Sequence, residues 1–101
     1  MCKIPKVVIV APEEKQLELR KQLSSLEYDI VATVANAEDA TRIGCDVVII
    51  WKPDGETMSV LCEFEARTVA IGGAGEEAEM RIDPEDISSF KTRIWELFRP
   101  R

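Results

Sequence analysis

Two stretches of this chain, Lys6-Val7-Val8-Ile9-Val10-Ala11 and Asp46-Val47-Val48-Ile49-Ile50-Trp51, are continuous apolar runs rich in β-branched residues. A strand with one face in water alternates apolar and polar side chains. An unbroken run of this length instead fits a strand covered on both faces, as in the centre of a parallel sheet. The two runs therefore predict buried strands with helices closing both sides, the layering of an α/β fold.

The segments between the runs extend that pattern. Pro12 stops the first strand and suits a helix's first turn, where a missing N–H costs little, and Glu13 and Glu14 favour the positive end of the helix dipole. In that helix Leu19, Leu23 and Leu26 recur at spacings of four and three and predict one buried stripe, with Leu17 nearly opposite and exposed. Tyr28 to Val34 reads as a second strand. Asn36 with Asp39 three residues later has the spacing of a capping box, and Gly44 offers the left-handed residue that closes a brief helix.

Lys52-Pro53-Asp54-Gly55 favours a turn, and residues 56–65 predict a helix that is apolar nearly all round. Thr68 to Ile71 is a fourth strand, ended by Gly72-Gly73-Ala74-Gly75, whose glycines permit unusual backbone angles and predict a tight turn. This is not the spacing of a phosphate cradle, and Glu76, Glu77 and Glu79 oppose an anion there. Glu79 to Ile82 predicts a fifth strand at the sheet edge. Asp83-Pro84-Glu85-Asp86 starts a last helix, with Asp as cap and Pro in first position, running to about Phe98. Ile87, Phe90, Ile94 and Phe98 form its buried stripe, and Trp95 lies about 100° from the stripe's centre, partly exposed. Alternating strands and helices predict a doubly wound, five-stranded parallel sheet in one domain over residues 1–101, without repeats or linkers.

Composition narrows the functional classes. Hydrophobic residues make up 46% and charged residues 32% of the 101, the balance of a soluble globular domain. No apolar run approaches the roughly 20 residues of a membrane span, and Met-Cys-Lys-Ile-Pro is not a signal peptide, so the cytoplasm is predicted. Cys2, Cys45 and Cys62 are odd in number and widely spaced, which predicts reduced thiols without a zinc site. Histidine is absent, removing the usual general base and metal ligand. A net charge of −6 with scattered basic residues argues against nucleic acid. The six acids from Glu76 to Asp86, against Arg81 alone, read as a solvated face, with a docking surface for a basic partner as the alternative.

Lys6 to Val10 followed by Glu13, Tyr28 to Ala32 with Ala35-Asn36-Ala37-Glu38-Asp39-Ala40, and Asp46 to Ile50 together resemble the receiver domain of response regulators. The resemblance implies a flavodoxin/CheY-like sheet, with a shortened third helix and a shortened helix between the fourth and fifth strands. It also implies that phosphoryl chemistry is gone. Ala11 and Pro12 stand where the family's paired magnesium-binding acids belong, and Trp51 stands at the phosphoacceptor. Gly73 falls near the switch hydroxyl, and Asp83-Pro84 replaces a Lys-Pro pair. This is a pseudo-receiver pattern.

No residue is assigned to catalysis and no cofactor or metal is expected, because no nucleophile and base converge. The expected function is a phosphorylation-independent regulatory module working through a protein partner or its own copy. Trp95, Leu97 and Arg99 of the last helix are the candidate interface, with Trp51 as pocket filler or contact. The alternative is a small-ligand site at the C-terminal edge of the sheet, with Trp51 against the ligand and the Gly-rich loop over it.

Overall fold

The strands pair all in parallel in the order β2-β1-β3-β4-β5, with β1 at Lys6–Val10, β2 at Asp29–Val34, β3 at Val47–Trp51, β4 at Arg67–Ile71 and β5 at Met80–Ile82. The computed structural model describes residues 4–26, 28–62, 66–73 and 78–98. Helices α1 (Glu13–Leu23), α2 (Ala37–Thr41) and α3 (Gly55–Cys62) follow the first three strands, and the last described residues form a helical segment containing α4 (Phe90–Arg93). This is the doubly wound α/β arrangement expected, in flavodoxin/CheY-like order.

Side-chain alternation along the central strands fills both faces. Val7 and Ile9 of β1, Val47 and Ile49 of β3, and Val69 and Ile71 of β4 point into one cluster with Leu19, Leu23, Phe90 and Ile94. Val8, Val10, Val48, Ile50 and Ala70 point into the other, with Ala37, Ala40 and Met58. The uninterrupted apolar runs thus have their cause in burial on two sides.

The edge strand β2 keeps step by a local irregularity. Its register on β1 jumps from Val7–Ile30 to Val8–Ala32, so Val31 bulges out of the pairing and is 40% exposed. The jump changes the face of every later residue. Ile30 packs with the first cluster, whereas Ala32 and Val34 pack with the second.

Three expectations are corrected. Leu26 is 98% exposed, because α1 ends at Leu23 with Ser24 as its C-cap in an extended conformation, one turn before the stripe would have reached Leu26. Tyr28 fills the core instead, its hydroxyl donating to the Leu23 carbonyl and its ring meeting Phe90 edge-on at 5.2 Å. Gly44 takes no left-handed angle, since α2 closes with N–H groups of Arg42 and Ile43 reaching back to Asp39 and Ala40.

The last helix is not continuous. A 3₁₀ segment, Pro84–Ser89, contains a non-helical Asp86, then α4 runs for four residues and a second 3₁₀ segment covers Ile94–Phe98. Asp83 caps it as expected, accepting from the Glu85 N–H at 2.9 Å. Ile87, Phe90 and Ile94 are buried on it, whereas the Phe98 side chain lies outside the described residues. Likewise α3 is seen as Gly55–Cys62, and the rest of the helix expected to residue 65 lies outside them.

Candidate functional site

β1 hands the chain to α1 on one face of the sheet, while its neighbour β3 hands it to α3 on the opposite face. Chains leaving adjacent strands in opposite directions open a crevice between them, the place where doubly wound folds hold ligands. Here a cleft of about 240 Å³ lies at that point, lined by the three turns β1–α1, β2–α2 and β3–α3.

Each turn brings an end of a helix to the cleft. Pro12 stands before α1, and the Gln16 amide donates to the Ala11 carbonyl at 2.9 Å, tying the helix to the strand end. Asn36 caps α2 as its sequence predicts, its Oδ1 accepting from the Asp39 N–H at 3.0 Å. Asp54 caps α3, accepting from the Thr57 N–H at 2.7 Å. Hydrogen bonds from the Thr57 side chain and, next, its backbone N–H hold the Asp54 carboxyl below its ordinary range.

Trp51 is half-buried, packing against the larger core while also lining the cleft, so it is filler and wall together. The ammonium groups of Lys15 on α1 and Lys52 each stand 5.3 Å from the centroid of its ring. Lys15 is shared with Glu18 at 3.2 Å, an exposed pair. Lys52 has no carboxylate partner among the described residues.

The Lys52 backbone adopts a φ of 44°, a left-handed angle that costs a residue with a side chain on the order of 1 kcal/mol. Its N–H donates to the Ile71 carbonyl at 2.8 Å, and Gly73 lies directly against it. A Cβ on Gly73 would fall 2.6 Å from the Lys52 carbonyl carbon, and Gly73 itself has a φ of 65°. Gly72, with a φ of 67°, meets the Pro84 ring in the same way, at 2.8 Å. The two glycines therefore make the close turn their sequence predicts, locking the loop that presents Lys52.

The residues singled out in the sequence divide between two places. Ala11, Pro12 and Trp51 come together in the cleft, with neither an alanine nor a proline offering a side-chain oxygen. Among the described residues no group of three His, Cys, Asp or Glu is gathered to hold a metal ion. Asp46 sits at the other end of β3, where its carboxylate accepts from the Lys6 N–H at 2.8 Å. Trp95 is 45% exposed on the last helical segment, away from the cleft lining. The Leu97 side chain and Arg99, expected beside it, lie outside the described residues.

Sequence reasoning did not find Asn36 and Thr57 as cleft residues, nor Lys15 beside the Trp51 ring. The signal available for each was only its position two to six residues past a strand end. Compared with known protein families, with curated proteins and with solved structures, the chain gives no match. Among the described residues no helix is long and apolar enough to cross a membrane.

Proposed function

We propose that this protein is a regulatory module of the cytoplasm that acts by protein contact, through a partner or a second copy, without being phosphorylated. The observation that carries the reading is Trp95, with 45% of its surface exposed on a segment whose Phe90 and Ile94 are fully buried. A tryptophan at the surface has few rotatable bonds to fix on binding and covers a large apolar area, which is why it is enriched at the centres of interfaces.

Support for phosphorylation independence comes from the cleft. An acyl phosphate needs a carboxylate nucleophile and a magnesium ion held by hard oxygen ligands. Ala11, Pro12 and Trp51 line the cleft instead, and its Asp54 is engaged as the cap of α3. The last helix, and not a charge gained at the sheet edge, then carries the signal.

Solution mass measured across concentration tests this. The wild type forms a reversible dimer, and Trp95→Ala weakens it at least about tenfold, the loss of one interface anchor. A wild type that stays monomeric, together with a Trp95→Ala variant that binds an identified partner unchanged, overturns the interface. Acetyl phosphate with magnesium leaves no acid-labile adduct, and finding one overturns the second half of the reading.

A further inference from the structure

The cleft at the β1/β3 crossover is lined by Trp51 and Lys52 over an apolar floor of Val10 and Ile50, the Lys15 ammonium stands by the same indole, and contact through the last helix makes no use of it. We infer that it binds a small organic anion, an oxyanion carried on an apolar ring, with Lys15 and Lys52 holding the oxygens and Trp51 receiving the ring.

The charge argument rests on what each group already does. Two ammonium groups share one indole at 5.3 Å apiece, and an aromatic face neutralises only a fraction of one charge. Lys52 has no ion-pair partner among the described residues, and Lys15 has only the exposed Glu18. The one carboxylate lining the cleft, Asp54, is turned to the Thr57 N–H. An oxyanion taken up beside the indole gains charge-assisted hydrogen bonds from ammonium groups already held there.

The shape argument fixes the rest of the ligand. The indole face is electron-rich and repels oxygens, so an anion's oxygens go to the lysines and its apolar body to the indole. The cleft, about 240 Å³ and open to solvent on one side, has room for a small ring carrying an oxyanion, such as benzoate or phenyl phosphate. The Lys52 loop, pinned by the Gly73 contact, does not have to be ordered on binding.

The chain has two tryptophans, so Trp95→Phe leaves Trp51 as the only indole and its fluorescence reads the cleft alone. Anion binding is read at Trp51 and self-association by the solution mass of the wild type, so failure of one idea is separable from failure of the other. Benzoate and phenyl phosphate give a saturable change that weakens at least about tenfold in Lys15→Gln/Lys52→Gln and weakens with added salt. Benzyl alcohol, the uncharged counterpart, and inorganic phosphate, which lacks the ring, both bind at least about tenfold more weakly. No saturable response to either aromatic anion overturns the inference, as does equal binding by the double variant, by benzyl alcohol or by inorganic phosphate. Should the double variant fail to fold, Lys52→Gln alone carries the same comparison.

Discussion

On one face of the sheet, α1 and the last helical segment press Leu19, Leu23, Ile87, Phe90 and Ile94 onto the strands, with Tyr28 closing the end. On the other, α2 and α3 bring Ala37, Ala40 and Met58, and much of what surrounds them, Val34, Ile43, Cys45 and Val60 among them, is only partly buried. The first face gains stability from large side chains removed from water. The second gains it from close approach, since alanines let a short helix lie near the strands. A helix of five residues such as α2 has no stability of its own, so it exists only because that approach is tight. Bulk and proximity are thus separate ways of covering one sheet, and they fail differently.

Removing bulk is the most damaging change. Phe90→Ala costs about 4 kcal/mol, from lost transfer energy and the cavity left at a fully buried ring, a large share of a small domain's stability. Met58→Ala on the opposite face costs roughly half as much, because its less completely buried surroundings can close in. Urea midpoints of the two variants check this, and equal losses would break the distinction between the faces.

Alkaline pH probes each face through one group. Burial pushes the Tyr28 hydroxyl from 10.0 up to about 12, and burial together with Asp46 pushes the Cys45 thiol from 9.0 up to about 11. Both groups are neutral when protonated, so a raised folded value means that the fold favours the protonated form. Their contributions are complete below 10.0 and 9.0 and are lost as pH climbs through the folded values. Tyr28 contributes on the order of 2 kcal/mol. Stability followed from pH 8 upward falls first in the Cys45 window and then in the Tyr28 window, and Tyr28→Phe abolishes the upper step only.

Adding bulk tests the second face directly. Ala40→Leu forces a larger side chain under α2 where none of the alanine is exposed, and costs about 1–3 kcal/mol. A variant as stable as wild type would mean that the second face has slack, and that proximity is not what holds it.

How much of this was legible in the sequence follows the range of the interactions involved. The strands of the sheet were, because unbroken runs such as Val47 to Ile50 have one physical meaning. Caps were too, since Asn36 and Asp83 act on N–H groups two or three residues away. The end of α1 was not: Leu26 continues the stripe, and only the demand of Tyr28 for the Leu23 carbonyl and for the Phe90 ring shows why the helix stops first. Nor was the break at Asp86, which no glycine or internal proline marks. The cleft's Trp51 was foreseen, but the pair of cations at its ring was not, because Lys15 and Lys52 come to one indole only where α1 and the β3–α3 turn converge.

The step at Val31 reaches beyond β2 itself. A flat outer strand offers its unsatisfied amides to any similar chain, and stacking of that kind is how folded domains are drawn into filaments. The bulge spoils the spacing a newcomer would have to match, and at the opposite margin β5 has only three residues to offer. Both borders of the sheet are thus poor templates for a further strand.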